Sequence, residues 1–142
     1  MKIRKAKPED LDFIVKLLKD NDLCYEDITS KIDCIFLGHT GDGIIGIGGV
    51  EIYEEHGLLR SLVIQKPYRS KGLGKELCSK LIEYARKQGV KELYLLTLTA
   101  ADFFEKLGFI RTNRQNVPEP ISLTTEFTSL CPVTAACMVK KI

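Results

Sequence analysis

A chain of 142 residues has the length of a single domain and can bury a sizeable core. Its 44% hydrophobic and 28% charged residues are ordinary globular composition, which argues against a disordered or fibrous chain. A formal charge of +2 makes no case for a nucleic-acid or anionic-membrane partner, and no apolar run nears the ~20 residues that span a bilayer.

The expectation is one domain over residues 1–142, in the cytoplasm, with Met1-Lys2-Ile3-Arg4 opening a strand rather than a signal peptide. Lys2 to Ala6 alternates like a strand. Pro8 suits a first helical turn, and Leu11, Ile14, Val15, Leu17 and Leu18 make one apolar face. Tyr25 to Ile32 reads as a second, shorter helix. Cys34–Leu37 and Ile44–Val50 read as strands around a Gly41-Asp42-Gly43 turn, and a turn from Glu54 to Gly57 leads into a strand over Leu58–Ile64. Leu73, Leu77, Leu81, Ile82 and Ala85 mark a long helix running to about Gln88, with Gly89 as its C-cap. A strand over Leu93–Thr99, a short helix over Ala101–Leu107 and a strand from Phe109 follow. Beyond Pro118 and Pro120 the pattern gives a helix over Ile121–Leu130 and a last strand over Ala136–Ile142. The class is α/β.

The chemistry concentrates at Arg69-Ser70-Lys71-Gly72-Leu73-Gly74, between a strand and a helix. The first turn of a helix leaves backbone N–H groups unpaired, and the macrodipole adds partial positive charge there. Gly72 and Gly74 let an anion approach those amides closely, and Arg69, Lys71 and Lys75 add cations around the same point. A Walker-type loop is excluded, because position 69 is arginine and position 76 is glutamate. Gly46, Gly48 and Gly49 do not supply the spacing of a dinucleotide fingerprint.

What remains is Gln/Arg-x-x-Gly-x-Gly/Ala, and with its flanking strand, Tyr68 and amphipathic helix it resembles the acetyl-CoA pyrophosphate loop of the GNAT N-acetyltransferases. The segment Leu95-Leu96-Thr97-Leu98-Thr99-Ala100-Ala101-Asp102-Phe103-Phe104-Glu105-Lys106-Leu107-Gly108-Phe109 is similar to the second half of the same core. The Leu-Leu-Thr-x-Thr-Ala and Phe-Phe combination narrows the resemblance to the acetyltransferase domain of N-acetylglutamate synthase and to the small arsenic-resistance N-acetyltransferases. Similarity to the latter extends to the tail, Thr125–Pro132 and Cys137-Met138-Val139.

That resemblance implies a GNAT fold, with a mixed, mostly antiparallel sheet splayed at the cofactor strand and flanked by helices. It implies acetyl-CoA as cosubstrate, held by the loop Arg69, Ser70, Lys71, Gly72, Leu73, Gly74 and Lys75. Leu62, Val63 and Ile64 would pair with the pantetheine arm and Phe104 would wall its channel. The implied reaction is direct attack of a primary amine on the thioester, which needs a neutral amine, a donor to the oxyanion and a proton for the leaving thiolate. Many relatives carry a tyrosine for the last task where Phe104 stands here. Many also carry a glutamate where this chain reads Gly57-Leu58-Leu59, so Glu51 is the candidate base, ahead of Glu54, Glu55 and His56.

Arg60 lies in an otherwise apolar strand, and alternation places it on the face of Leu58 and Leu62. Two readings stand. Its guanidinium could anchor a carboxylate, phosphinate or arsinate on the acceptor, or pair with Glu51 across the sheet. Thr97 and Thr99, on one strand face, could contact the substrate. The expected acceptor is a small, acidic, amino-acid-like amine, in keeping with a role in arsenic or related toxin resistance. Two other readings stay open, a protein or peptide N-acetyltransferase and a non-catalytic regulator that binds acetyl-CoA or arsenite.

Five cysteines, Cys24, Cys34, Cys78, Cys131 and Cys137, cannot all pair internally. Cys131 and Cys137, close in sequence, read as packed or incidentally oxidisable thiols, or, if paired across the last strand, as a site for a thiophilic ion such as arsenite. Their spacing matches no common zinc module, and no metal is expected. The tail after Pro118 could serve a homodimer interface.

Overall fold

The computed structural model describes all 142 residues. Alternating apolar residues build a seven-stranded sheet in the order β1-β2-β3-β4-β5-β7-β6. The strands are β1 (Lys2–Lys5), β2 (Ile35–Thr40), β3 (Gly43–Tyr53), β4 (His56–Ile64), β5 (Glu92–Thr97), β6 (Ile110–Arg111) and β7 (Ala136–Lys141). All neighbours run antiparallel except β4 and β5, which are parallel and paired only from His56–Leu58 against Glu92–Tyr94. Past Leu58 and Tyr94 the two strands separate. That opening in the middle of the sheet is what the rest of the fold is arranged around.

Helices cover both faces. On one side lies α3 (Leu73–Lys87), whose Leu77, Cys78, Leu81, Ile82 and Ala85 pack on Phe36, Val50, Leu59, Leu93 and Leu95. Burying a side chain such as Leu81 contributes about 1.5–3 kcal/mol. Gly48 lets this helix come close, because a Cβ there would lie 2.4 Å from Leu81 Cδ1. On the other side, α1 (Leu11–Asp20) and the single turn α2 (Ile28–Lys31) bring Ile14, Leu18 and Ile28 onto Ile35, Leu37, Ile47 and Val63. The short α4 (Ala101–Lys106) and α5 (Glu119–Ser122) complete the helices.

Four sequence expectations shift. The helix expected over Tyr25–Ile32 shrinks to α2 followed by a 3-10 turn at Ile32–Cys34. The strand expected to reach Thr99 stops at Thr97, whose Oγ1 accepts the Ala100 N–H at 3.0 Å and turns the chain. Thr97 and Thr99 therefore do not share a strand face.

The helix expected over Ile121–Leu130 breaks into α5 and a π-helical turn at Glu126–Leu130. Within it, Thr124 Oγ1 donates to the Ile121 carbonyl at 2.7 Å and Thr128 Oγ1 to the Thr124 carbonyl at 2.9 Å. Hydroxyls that bond back to carbonyls compete with the helical ladder.

The fourth correction has the most consequence. Register passes from Gly49 opposite Arg60 to Ile47 opposite Val63, so two residues of β4 face one of β3. This bulge sits at Ser61, whose φ is 60°. It resets the alternation. Arg60 keeps the face of Leu58, but Leu62 swings to the α3 side and packs with that core, contrary to the sequence expectation.

Candidate active site

Separation of β4 from β5 opens a cleft of about 820 Å³ through the sheet. Its walls come from both strands, from the loop before α3, and from Phe103 and Phe104 on α4. The remaining wall is Asn21–Cys24 together with Cys131, Pro132 and Ala135. Every residue proposed from sequence to hold the cofactor lines this cleft except Lys71.

At one end the chain leaves β4 through a 3-10 turn, Lys66–Tyr68, and enters α3 through Ser70 and Gly72, both left-handed with φ of 64° and 77°. No backbone N–H from Ser70 through Lys75 donates to another protein group; the first α3 bond is Glu76 N–H to Gly72 O at 3.2 Å. The Arg69 guanidinium is spent on structure. Its Nε donates to the Ile64 carbonyl and its Nη2 to Asn21 Oδ1, each at 2.7 Å, which ties the Asn21–Cys24 wall to the loop. Neither Lys71 nor Lys75 is in an ion pair. Free amides, two free ammonium groups and the helix N-terminus fit a pyrophosphate.

Deeper in the cleft, β4 past Leu58 has no β5 partner on that edge. Phe104 packs edge-on with Phe103 and with the core residue Phe109, at centroid distances of 5.0 and 5.5 Å, and Phe103 and Phe104 form the apolar wall facing that edge.

At this end of the cleft, with Arg60 among the lining residues, lies a buried ion cluster. The Arg60 side chain is 0% exposed. Its Nη1 and Nη2 donate to the two Asp27 oxygens at 2.6 Å, Nη1 also reaches Glu51 Oε2 at 2.8 Å, and Nε lies 3.1 Å from Glu126 Oε2. Lys31 Nζ is 3.5 Å from Glu51 Oε1, which also accepts a short bond from the Tyr53 hydroxyl.

Of the two readings of Arg60, the geometry shows the ion pair. Its donors are taken by three carboxylates, the cross-sheet pair with Glu51 among them. Glu51, expected as a base, is likewise committed to Arg60, Lys31 and Tyr53 and does not line the cleft. Sequence reading missed Asp27 and Glu126 altogether; the signal available was a lone arginine in an apolar strand, which requires buried anions from elsewhere.

Cys131 and Cys137 are not brought together as a chelating pair. Cys137 is buried on β7, whereas Cys131 Sγ lies 3.7 Å from Cys24 Sγ. No group of His, Cys, Asp and Glu is arranged to hold a metal ion.

The family model described as Acetyltransferase (GNAT) family matches residues 8–109. The chain belongs to the GNAT acetyltransferase family. Like its relatives it is an acetyl-CoA-dependent N-acetyltransferase. An uncharacterised N-acetyltransferase of Chlorobaculum tepidum is 28% identical over 113 residues, covering 79% of this chain and 70% of that protein. The amino-acid acetyltransferase of Ectopseudomonas mendocina is 36% identical over 62 residues, which are 44% of this chain and only 14% of that protein.

Among solved structures, N-acetylglutamate synthase from Neisseria gonorrhoeae, bound to coenzyme A and N-acetylglutamate, superposes with a TM-score of 0.82 at 18% identity, over 99% of this chain and 34% of that one. A Mycobacterium tuberculosis protein solved with CoA gives 0.80 at 16% identity, over 100% and 99%. At such identities these establish the shared fold.

In this GNAT domain the hydroxyls usually sought for thiolate protonation are placed elsewhere. Tyr53 is bound to Glu51, Tyr84 packs on Phe36, and Tyr94 sits in the core beside Leu58 and Ile121. Tyr68 does line the cleft, which sequence reading had not foreseen, but it adjoins the pyrophosphate loop.

Burial pushes the Glu126 carboxyl up to about 7; the Arg60 guanidinium opposes the rise, and the Glu51 and Asp27 carboxylates add to it. A carboxyl raised on folding binds more protons in the native state between its two values. Its stabilising effect is complete below about 4.5 and is lost as pH climbs through about 7. The melting temperature of the Glu126→Gln protein is accordingly expected to fall less between about pH 5 and about pH 8 than that of the parent. Thermal melts across this range check it, and parallel curves would contradict it.

Proposed function

We propose that this acetyltransferase modifies the primary amine of a small amino-acid-like molecule, and that acidic acceptors form its first substrate class. The observation that carries the reading is the cleft itself. It runs from the free amides of the Ser70–Lys75 loop, between two unpaired strand edges, and is also lined by the small polar side chains of Cys24, Ser61, Thr97 and Thr99. Such a lining suits an amine on a small molecule.

The acidic preference draws on the similarity to amino-acid acetyltransferases and on the fold shared with a synthase whose structure holds N-acetylglutamate. An acidic acceptor would reach Arg60 by displacing one of its three carboxylates. Glu126, which burial pushes up to about 7 and whose Oε2 lies 3.1 Å from Arg60 Nε, is the carboxyl proposed to give way. A glutamate analogue bearing an arsinate or phosphinate group presents the same charge and the same paired oxygens. Service in arsenic or related toxin resistance would follow from turnover of such an analogue.

Release of CoA from acetyl-CoA, measured with glutamate, its arsinate and phosphinate analogues, glutamine, a neutral alkylamine and a short peptide, tests the proposal. Highest kcat/KM on an amino-acid-like amine is expected, with the acidic members leading. Equal turnover of glutamate and glutamine would remove the acidic preference alone. Turnover of the peptide only would replace the proposal with peptide acetylation, and binding of acetyl-CoA without release on any amine would leave a regulator.

A further inference from the structure

Two of the five cysteines meet at the cleft wall although 107 positions separate them in the sequence. Cys24 and Cys131 both line the cleft, their sulfurs 3.7 Å apart, and Cys24 Sγ also donates to the Leu130 carbonyl at 3.3 Å. Neither is in a disulfide. Cys24 ends the segment that follows α1, and Cys131 follows the π-helical turn of the tail. The segment from Asn21 to Cys24 thus runs along the cleft rim, fastened at one end by Arg69 and touching the tail at the other. Asp22, within it, holds a left-handed φ of 57°, a strained conformation for a non-glycine residue. Beyond Cys131 the wall is irregular chain, with Val133 largely exposed.

We propose that Cys24 and Cys131 are a modification site, forming an intramolecular disulfide that latches the rim of the cleft to the tail and slows acceptor passage. The sulfurs need approach only from 3.7 Å to about 2.05 Å. The oxidant is a low-molecular-weight disulfide. One cysteine thiolate attacks it, forming a mixed disulfide and releasing a small thiolate. The second cysteine thiolate then attacks the sulfur of the first, and the second small thiolate leaves. The two protons lost by the protein end on the released thiols, and two electrons pass to the small disulfide.

Burial pushes both thiols up, Cys131 the further. Few thiolates at neutral pH make the latch slow to form. A poorly leaving thiolate also makes the bond hard to reduce, so the device is a durable closure rather than a fast sensor. With the bond made, the rim is tied at both ends, to Arg69 and to the tail, and its strained segment cannot swing outward.

The full-length protein is equilibrated with mixtures of oxidised and reduced glutathione, then digested and mass-mapped. The expected product is a Cys24–Cys131 linked peptide with two hydrogens fewer than its parts, and a higher melting temperature for the oxidised protein. Cys24→Ser and Cys131→Ser should each abolish both changes, and Cys137→Ala should keep them.

On the best amine of the panel above, kcat/KM for the amine should fall at least tenfold on oxidation while acetyl-CoA affinity stays within twofold. This arm alone depends on the acceptor reading, so a failure to find an acceptor leaves the mapping and melting tests intact. No linked peptide at any glutathione ratio, or mixed disulfides only, would overturn the latch. A linked protein with unchanged amine kinetics would overturn its effect on acceptor passage.

Discussion

Replacing Arg60 with leucine is expected to cost about 3–5 kcal/mol of stability, the penalty for stripping a buried ion cluster of its central partner. The change leaves Asp27, Glu51 and Glu126 facing one another in the interior, with Lys31 at 3.5 Å from Glu51 as the remaining cation. Against a total of about 5–15 kcal/mol for a domain, this is a large share, and the melting temperature should drop by on the order of 10 °C or more. Adding Glu126→Gln to Arg60→Leu should recover part of the loss, because it removes one of the orphaned carboxyls; the two changes share a cluster and will not add. Thermal melts of the two single variants and the double variant measure this. A folded Arg60→Leu protein with an unchanged melting temperature would contradict the stabilising role of this cluster.

Gly74→Val is expected to weaken acetyl-CoA binding more than tenfold, over ~1.4 kcal/mol, in a protein that keeps its fold. A Cβ at Gly74 would stand 3.5 Å from Phe103 Cζ and 3.6 Å from Ile64 Cγ1, ordinary contacts that the fold accepts. Both neighbours are cleft walls, so the branched methyls of valine would stand between them, where the cofactor must pass. Gly72 is the poorer site for this experiment. Its φ of 77° is costly for any residue with a side chain, and a loss of binding there would mix backbone strain with blockage. Calorimetry with acetyl-CoA on Gly74→Val gives the answer; unchanged affinity would put the cofactor elsewhere.

Legibility in the sequence followed the range over which each signal acts. The pyrophosphate loop is local: a strand, Arg69 to Gly74 and an amphipathic helix are contiguous, and residues that could serve it were nameable without coordinates. Phe104 was readable for the same reason, since its short helix leads directly out of β5. Of the Arg60 cluster only the cross-sheet pair with Glu51 was readable; Asp27 and Glu126 arrive from α2's start and from the tail, at separations no sequence pattern records. The face of Leu62 was misread because a bulge at Ser61 leaves no mark in alternation. Thr99 was misplaced because the Thr97 hydroxyl ends the strand early. Sequence proximity offered only Cys137 as a possible neighbour of Cys131, whereas chain folding brought Cys24 to it.

That the unpaired amides of the loop before α3 grip acetyl-CoA is the claim on which the rest depends. It is tested most directly by following backbone amide resonances of the isotopically labelled protein during a titration with CoA. The amides from Ser70 to Lys75, which donate to no protein group in the structure, should show the largest shifts, with smaller ones along Leu62 to Ile64. Saturable shifts elsewhere, with Ser70 to Lys75 unmoved, would contradict the account.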